Sequence, residues 1–542
     1  MLGTMQDVPL LVKRLLEHGT SWHGRAGVVT AVPDGSRGAT FADVGRNAAR
    51  LAHALRGLGI GDGDRVGTFM WNNQEHVEAY YAVPCMGAVL HPLNIRLPAD
   101  QVTYIANHAG DRVVVVDGSL LPLFVAAAKG MTTVRAVVVN GPGDRSVLDG
   151  LPVEVYDYAD LLAGQPDTYA WPELDENSAA AMCYTSGTTG DPKGVVYTHR
   201  SIYLHALAAA LPDVMATSSR DRMLVIVPQF HVLAWGIPYM AFVTGTTLVM
   251  PDRFLAPQPL AAFVMAAKPN LGAGVPTVWQ GLLHLADADP SVDLSSLTEA
   301  IVGGAACPPS LMEGMKQRHG VQLVHAWGMT EMSPLGTVAR PPAGVSPEDE
   351  LRYRLTQGRF VAPVEARLVG VDGEIVPNDG ASVGELEVRG PWITGAYYLD
   401  EDPGKFHDGW LRTGDVGTFS ADGYLVLTDR AKDVIKSGGE WISSVELENH
   451  LMAHPDIVEA AVVGVPDERW QERPLASVVV RDGATVTPEG LREFLSDRVP
   501  KWQLPERWAF IDEVPKTSVG KFDKKVLRRR YADGDLEVRQ IG

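Results

Sequence analysis

The chain is poor in cysteine and in basic residues, and it has no long apolar run. Its three cysteines, Cys85, Cys183 and Cys307, lie far apart and have no metal-ligand spacing, which suits a reducing cytoplasm. With 47 basic against 66 acidic residues the net charge is −19, so nucleic acid is not an expected partner. The N-terminal stretch mixes acidic and basic residues, unlike a signal peptide. The sequence predicts no membrane span and leaves peripheral membrane contact open.

What is present is typical of a large globular enzyme. At 542 residues the chain is too long for one hydrophobic core, so at least two domains are expected. Helix-like and strand-like segments alternate over most of the length; Thr40, for example, can cap a helix with apolar residues at helical spacing. This alternation predicts an α/β fold of layered subdomains with sites at the strand ends.

The predicted domain organisation follows the changes of pattern along the chain. From about residue 360 the strands are separated only by turns, which predicts a β-rich subdomain to residue 428 within a large domain of residues 1–428. The charged, glycine-containing segment that starts at Asp429 is expected to be a linker, with a hinge at 429–435. Residues 436–542 then form a small α+β domain, with Ser443 and Thr487 as helix caps.

The segment Tyr184–Gly194, "YTSGTTGDPKG", has the composition of a phosphate-binding loop. It does not match a Walker loop, because the spacing of its glycines differs and Gly194, rather than Ser or Thr, follows Lys193. Its hydroxyls, backbone N–H groups and single cation could still wrap a polyphosphate. The alternative is a polar surface turn, since the same residue types dominate turns.

Four further segments follow along the chain, and their order is part of the resemblance described below. They are "AWGMTE" (Ala326–Glu331), "RTGD" (Arg412–Asp415), "DRAKD" (Asp429–Asp433) and "PKTSVGK" (Pro515–Lys521). Together with the glycine-rich loop they resemble the motifs of the adenylate-forming superfamily, which contains acyl-CoA synthetases, adenylation domains of peptide synthetases and beetle luciferases. The resemblance runs over nearly the whole chain and implies ATP, Mg²⁺ and coenzyme A as ligands.

The resemblance assigns roles that the residue types can perform. Trp327 offers a face for adenine, Thr330 a hydroxyl for the α-phosphate, and Glu331 with Thr185 ligands for Mg²⁺. Read alone, each has a plainer explanation, namely a core aromatic, a turn hydroxyl or a surface charge. The ATP or AMP site implied by the resemblance consists of Thr185, Ser186, Gly187, Thr188, Thr189, Gly190, Lys193, Gly304, Ala305, Ala326, Trp327, Gly328, Asp415 and Arg430.

Two lysines are expected to serve two half-reactions. By resemblance Lys521 bridges the substrate carboxylate and the α-phosphate, where an anion attacks an anion and a cation is needed. Lys436 belongs to a segment that lines the pantetheine tunnel in acyl-CoA synthetases, here Lys436, Ser437, Gly438, Gly439, Glu440 and Trp441. The family's solution is a swing of the small domain about a hinge, here at Asp429 and Lys432.

The acid is expected to be apolar. The predicted acyl pocket consists of His231, Val232, Trp235, Gly303 and Met329, with no acidic residue in these stretches to receive an amino group. His231 is either a buried core histidine or, as the family suggests, a gate near the carboxylate, and Trp235 is a candidate gate across the channel.

The segments "HPLNIRL", "GPWITGAYY", "SGGEWISSVELEN" and "KWQLPE" are most similar to bacterial medium- and long-chain fatty acyl-CoA synthetases. The implied reaction converts a fatty acid, ATP and CoA into acyl-CoA, AMP and pyrophosphate. Two alternatives stay open, a short-chain ligase for 3-methylmercaptopropionate and an adenylating enzyme that loads a carrier protein. Gln229 and Leu233 depart from the relatives' "PMFHVNAW" in the presumed pocket. Relatives often form homodimers, and a homodimer is therefore expected.

Overall fold

The structure is a computed structural model that describes residues 1, 3–185, 191–400, 402–438, 440–516 and 522–541. The chain forms two compact units, the first from Met1–Glu365 with Arg389–Leu411 and the second from Ala366–Val388 with Arg412–Gly542. The expected α/β class is confirmed. The predicted hinge at 429–435 lies inside the second unit, and the predicted domain boundaries stay predictions.

The first unit contains a seven-stranded sheet that is parallel except for its last pair of strands. Val113, Val114, Val115 and Val116 on one of its inner strands are all buried, as expected for a sheet covered on both faces. In spatial order the strands are Glu154–Asp157, Ala136–Asn140, Asp111–Asp117, Arg65–Phe69, Val89–Pro92, Ala179–Tyr184 and Gly194–Thr198.

A nine-stranded sheet is the other layer of this unit. Its six middle strands are parallel, and antiparallel strands complete both edges. In spatial order the strands are Arg359–Phe360, Leu335–Val338, Gln322–Gly328, Glu299–Val302, Leu271–Gly274, Arg222–Val225, Thr247–Met250, Gly27–Val32 and Gly35–Thr40.

Helices cover these sheets. The predicted cap at Thr40 is confirmed, because its Oγ1 accepts the Asp43 N–H at 3.1 Å and Val44, Ala48 and Leu51 of the helix are buried. The α-helices are Val12–Trp22, Phe41–Gly57, Gln74–Cys85, Ala99–Ala109, Leu121–Ala128, Tyr158–Leu162, His199–Ala209, Ile237–Thr244, Pro257–Ala267, Pro276–Ala288, Pro309–His319 and Pro347–Arg354, and short 3₁₀ turns are Gly118–Leu120, Arg145–Leu148 and Thr330–Met332. Among the described residues, none of the helices combines the length and apolar character that a membrane crossing requires.

The second unit begins with the β-rich part that the sequence predicts. The strand Trp410–Phe419 pairs with Leu425–Arg430, and the same small sheet contains Glu365–Val369 and Gly384–Arg389. The short strand Phe406–His407, which belongs to the first unit, pairs with Trp410 and Leu411 of the same unit.

The C-terminal part of the second unit is an α+β module. Ser443 accepts the Glu446 N–H and Thr487 accepts the Gly490 N–H, so both predicted helix caps are confirmed. The module begins with two short strands, Ile435–Ser437 and Glu440–Ile442, because Ile435 and Ile442 are buried in its core. The other strands are Ile457–Asp467, Gln471–Val480, Arg507–Phe510 and Val538–Gln540; the helices are Ser444–Met452, Pro488–Ser496 and Lys524–Ala532, with a 3₁₀ turn at Lys501–Gln503.

A buried carboxyl group lies at the end of a central strand of the seven-stranded sheet. Asp117 accepts hydrogen bonds from the Trp71 backbone N–H (2.7 Å) and from the side-chain amides of Asn73 (2.9 Å) and Asn140 (2.8 Å). Burial raises its pKa from 3.8 to about 7, and the three donors only partly offset that effect. The folded protein therefore binds a proton at Asp117 that the unfolded chain releases.

The Asp117→Asn variant should flatten the dependence of stability on pH. Because the folded-state pKa is raised, the stabilisation is complete below about pH 3.8 and is lost as the pH rises through about 7. Between pH 5 and pH 8 the wild-type free energy of unfolding should fall by roughly 2–3 kcal/mol through this group. Urea unfolding at several pH values measures this, with the exposed Asp149→Asn as a control for charge removal. Equal slopes in wild type and Asp117→Asn would contradict the assignment.

Candidate active site

The glycine-rich segment connects the last two strands of the seven-stranded sheet as a hairpin loop. Tyr184 and Gly194 are paired across the antiparallel strands. At the base of the loop the Thr185 N–H donates to the Lys193 carbonyl (2.9 Å), and the Lys193 N–H donates to Thr185 Oγ1 (3.2 Å). The first and last residues of the loop are thus fixed against each other. The predicted phosphate contacts Ser186, Gly187, Thr188, Thr189 and Gly190 lie outside the described residues.

Aromatic residues contact both ends of this hairpin. The Tyr184 hydroxyl and His108 Nδ1 are 2.7 Å apart, and the Tyr398 N–H donates to the Gly194 carbonyl at 2.8 Å. Gly194 lies between the two tyrosines, since a Cβ there would be 3.1 Å from Tyr184 Cζ and 3.1 Å from Tyr398 Cβ. A side chain at position 194 would push the anchors apart, so the close approach requires glycine.

The Lys193 ammonium is surrounded by acidic and aromatic groups. Its Nζ lies 3.0 Å from Asp400 Oδ2, 3.2 Å from Asp402 Oδ2 and 4.9 Å from the centre of the Tyr397 ring. The hydrogen bond to Asp400 is the main cause that raises the pKa of Lys193, and Asp402 adds to it. Lys193 is therefore a permanent cation at the end of the loop.

Thr330 and Glu331 form a 3₁₀ turn after the strand Gln322–Gly328, and both residues are buried. The Tyr197 hydroxyl donates to the Thr330 carbonyl (2.8 Å), the Thr394 N–H donates to the Glu331 carbonyl (2.8 Å), and the Tyr397 hydroxyl donates to Glu331 Oε1 (2.6 Å). Burial, with the Glu331 charge next, raises the pKa of Tyr397, so its hydroxyl keeps the proton that it donates. Tyr397 thus joins the predicted magnesium ligand Glu331 to Lys193.

Residues at the carboxyl ends of two adjacent parallel strands come together. Gly303, Gly304 and Ala305 follow the strand Glu299–Val302, and its neighbour in the sheet is the strand that contains Ala326 and Trp327. A Cβ at Gly303 would lie 3.0 Å from the Ala326 carbonyl oxygen. This edge is where ligands bind in open α/β sheets.

Trp235 also reaches this edge, from a strained turn. Gly303 has the Trp235 ring beside it, because a Cβ there would be 3.2 Å from Trp235 Cη2. The backbone φ angles of Val232, Leu233, Ala234 and Trp235 are 47°, 52°, 49° and 56°, a left-handed turn without glycine. Such a conformation costs about 1–2 kcal/mol per residue, so close packing must maintain it. His231 begins this turn, and Val232 is buried within it.

The indole of Trp327 and the turn after it are closely supported. The Trp327 ring contacts Phe360 edge-on with centroids 6.0 Å apart. A Cβ at Gly328 would lie 1.9 Å from the Pro334 carbonyl oxygen, and the Met329 N–H donates to that same oxygen at 3.3 Å. Trp327 is half-buried and Gly328 exposed, so one side of this segment is accessible. Adenine stacking on Trp327 stays a prediction.

In the second unit, two predicted nucleotide ligands are paired with each other. Arg430 Nε lies 2.8 Å from Asp415 Oδ1, and the two residues are directly opposite on antiparallel strands. Asp415 is buried, whereas the Arg430 side chain is 53% exposed. The guanidinium can therefore orient the carboxylate and still face a ligand.

The predicted hinge residues of this unit differ in their surroundings. Asp429 is buried, and its Oδ2 accepts both the N–H and the hydroxyl of Ser444, each at 2.5 Å. The Arg528 guanidinium donates to the Lys432 carbonyl at 3.0 Å, and burial lowers the pKa of Lys432. Both Asp429 and Lys432 thus contact the C-terminal module, and the hinge expected at these two residues stays a prediction.

The predicted CoA segment is a short hairpin of the second unit. Lys436 is exposed, and its N–H donates to Glu472 at 2.9 Å. Ser437 is buried against Arg473, while Glu440 is exposed and Trp441 half-buried. Gly438 turns with a φ of 63° and contacts the Trp470 ring. Gly439 and the predicted catalytic Lys521 lie outside the described residues.

The sequence did not reveal several groups of this site. Tyr397, Tyr398, Asp400 and Asp402 come from a segment more than 200 residues beyond the loop that they contact, and no role was expected for them. The only signal was the resemblance of "GPWITGAYY", which contains the two tyrosines but not the aspartates. His108, which holds Tyr184, lies on the helix Ala99–Ala109 and had no signal at all.

The donor set suits a magnesium ion that is held mostly by its ligand's phosphates. Across the described ranges, no group of three or more His, Cys, Asp or Glu side chains could hold a metal ion unaided. Mg²⁺ typically takes one or two carboxylates and draws its other ligands from water and phosphate oxygens. Glu331, buried and oriented by Tyr397, fits that requirement, and Thr185 adds a hydroxyl beside Lys193.

Most of the chain matches two models of one known protein family. Residues 20–398 match the AMP-binding enzyme family, and residues 446–521 match the C-terminal domain of AMP-binding enzymes. The first match includes the glycine-rich segment and the Thr330–Glu331 turn, and the second begins within the helix that follows the predicted CoA segment.

Curated relatives match nearly end to end. The chain is 44% identical to a 3-methylmercaptopropionyl-CoA ligase of Ruegeria pomeroyi, covering 98% of this chain and 99% of that protein. It is 42% identical to a medium-chain-fatty-acid–CoA ligase of Ectopseudomonas oleovorans, covering 98% of both. Among solved structures, the anthranilate CoA ligase AuaEII in complex with anthranoyl-AMP has a TM-score of 0.81 at 26% identity, covering 98% of this chain and 100% of that one.

Replacing Gly328 should disturb the turn that carries Thr330 and Glu331. A methyl group at Gly328 would meet the backbone oxygen of Pro334, which cannot rotate away, so Gly328→Ala should cost roughly 1–3 kcal/mol or more. Thermal unfolding measures the loss. Gly395→Ala is the matched control, because a Cβ at that position would have nothing within 4 Å. The same melting temperature for both variants would contradict this packing.

Proposed function

The chain belongs to the AMP-binding enzyme family, and on that premise we propose that it is an ATP-dependent ligase that joins a fatty acid to coenzyme A. It is an AMP-forming acid–thiol ligase that uses ATP, Mg²⁺ and CoA. The observation that carries the assignment is the contact chain from Lys193 through Tyr397 to Glu331, which brings a cation and a magnesium-type carboxylate to the base of one phosphate loop.

The first half-reaction activates the acid. A carboxylate oxygen of the substrate attacks the α-phosphorus of ATP, a new P–O bond forms, and the bond to the β-phosphate oxygen breaks to release pyrophosphate. Lys193 and the loop N–H groups bind the leaving pyrophosphate, and Lys521 bridges the attacking carboxylate and the α-phosphate. Mg²⁺, held by Glu331 and Thr185 together with phosphate oxygens, would neutralise charge on the triphosphate.

The second half-reaction forms the thioester. The CoA sulfur attacks the carbonyl carbon of the acyl-adenylate, the carbonyl–oxygen bond to AMP breaks, and the thiol proton is released. We assign Lys436 and the hairpin around Gly438 to this step. Since Lys436 and Lys521 are assigned to different steps, we propose that the C-terminal part of the chain rotates near Lys432 between them.

We propose a medium- to long-chain fatty acid as the substrate. The turn that carries Trp235 is apolar and buried, and the candidate pocket residues His231, Val232, Trp235, Gly303 and Met329 include no carboxylate or permanent cation. A shorter acid, 3-methylmercaptopropionate, is the second candidate because a ligase for it is 44% identical to this chain. Loading of a carrier protein is a third outcome that the same assays distinguish.

We further infer that the enzyme acts as a homodimer in the cytoplasm, with peripheral membrane contact left to experiment. The resemblance to dimeric relatives supports the first point. Cys85, Cys183 and Cys307 support the second, because all three are free and buried, as in a reducing compartment.

The substrate profile is the decisive test of the function. With ATP and Mg²⁺, the purified protein should form CoA thioesters from straight-chain acids, with the highest kcat/KM in the medium- to long-chain range. The series runs from propionate upward and includes 3-methylmercaptopropionate, and a carrier protein replaces CoA in a parallel assay. A preference for 3-methylmercaptopropionate or for the carrier would support the corresponding alternative. Absence of acid-dependent ATP–pyrophosphate exchange with every acid would falsify the ligase assignment.

The two lysines should separate the half-reactions. Lys521→Ala should lower acyl-adenylate formation by about 100-fold or more, because a positioned cation is lost from the transition state, yet it should still convert supplied acyl-adenylate to thioester. Lys436→Ala should show the reverse. Pyrophosphate exchange measures the first step and thioester formation from synthetic acyl-adenylate the second. Equal loss of both steps in both variants would refute the division of labour.

A further inference from the structure

The strongest unassigned feature is the pair of aspartates that bind Lys193. Both lie on the segment that follows Tyr398, and both approach the ammonium within 3.2 Å. Two carboxylates against one ammonium leave the group with an excess negative charge. This charge lies at the loop expected to hold phosphates, where further negative charge is unfavourable unless it has a function.

The aspartates are held in place by their own segment. Asp402 Oδ1 accepts the Lys405 N–H at 3.1 Å, which leaves Oδ2 to face Lys193. The Asp402 carbonyl accepts the N–H groups of Lys405 and Phe406. The same segment is fixed to the base of the loop by the Tyr398–Gly194 hydrogen bond. These contacts keep Asp402 Oδ2 directed at the Lys193 ammonium.

We propose that Asp400 and Asp402 are positioning residues that compete with phosphate oxygens for the Lys193 ammonium and so speed the release of pyrophosphate. This inference rests on the proposed function, because it assigns Lys193 to the leaving pyrophosphate. The aspartates touch no reacting atom and act only through Lys193.

The ion pairs of Lys193 with the two aspartates are weak enough for phosphate oxygens to replace the carboxylates. The side chains of Lys193, Asp400 and Asp402 are 38%, 43% and 34% exposed, so solvent screens each pair. Pairs of that kind change an equilibrium by about 2- to 5-fold. That is weak enough for a polyphosphate to displace the carboxylates and strong enough for them to recapture Lys193 when pyrophosphate leaves.

The test compares Asp400→Asn, Asp402→Asn and the double variant with wild type. Each single change should lower the inhibition constant of pyrophosphate and the KM for ATP by about 2- to 5-fold, and the double change should lower both further. Inhibition of thioester formation is measured with the acid that the wild type uses best. Binding of magnesium pyrophosphate by calorimetry should tighten in the same order, and this arm needs no turnover.

Three controls separate this role from bracing of the loop. Asp408→Asn removes the same charge from the same segment, at a side chain that is 94% exposed, and should leave both constants unchanged. Asp402→Glu keeps the charge and should restore wild-type values. In a Lys193→Met background, adding Asp402→Asn should no longer change pyrophosphate binding in calorimetry, because the carboxylates act through Lys193.

Opposite results would overturn the proposal. If the aspartates only brace the loop or bind metal, their removal should raise the KM for ATP and weaken pyrophosphate binding, with a lower melting temperature. Unchanged constants in the double variant would also overturn it. A wild-type protein that lacks pyrophosphate exchange with every acid would refute the proposed function instead, and calorimetry would still decide whether the aspartates oppose pyrophosphate at Lys193.

Discussion

The pairing of Tyr184 with Gly194 is the constraint on which the candidate site depends. It closes the glycine-rich segment at its base, so that Thr185 and Lys193 lie next to each other although eight positions separate them. The missing side chain at Gly194 lets Tyr184 and Tyr398 approach from two sides. Through Tyr398 the pairing also brings Tyr397, Asp400 and Asp402 to Lys193. One antiparallel pair therefore joins the loop to a segment far along the chain.

The negative charges of the two proposed reactants explain why cations must be held at this site. The proposed reaction brings a carboxylate to a triphosphate, and both are anions, so cations must be present and oriented before the chemistry begins. Lys193 is oriented by acidic partners, and Glu331 is oriented by the Tyr397 hydroxyl. The acidic partners keep the lysine charged. If Lys193 binds pyrophosphate as proposed, the same partners limit how tightly it holds that ligand.

Two local features of the fold are unfavourable in free energy when considered alone. The left-handed turn at Val232–Trp235 places four L-residues in a conformation that favours glycine, and its buried apolar side chains offset the strain. Asp117 is buried as a carboxyl group with three hydrogen-bond donors and a pKa of about 7. In both cases a fixed local geometry is maintained by packing or hydrogen bonds although it opposes the local preference of the residues.

The sequence by itself determined the α/β class, the helix caps at Thr40, Ser443 and Thr487, and the ordered motifs that indicate the family. These signals are local, since hydrophobic period, capping residues and short motifs need no knowledge of distant contacts. Only the tertiary structure decided which groups surround Lys193 and Glu331, because the Tyr398–Gly194 backbone hydrogen bond brings Tyr397, Asp400 and Asp402 to them from far along the chain. It also decided that Asp429 is buried and that Val232–Trp235 turn left-handed, since long-range packing overrides the local preference there.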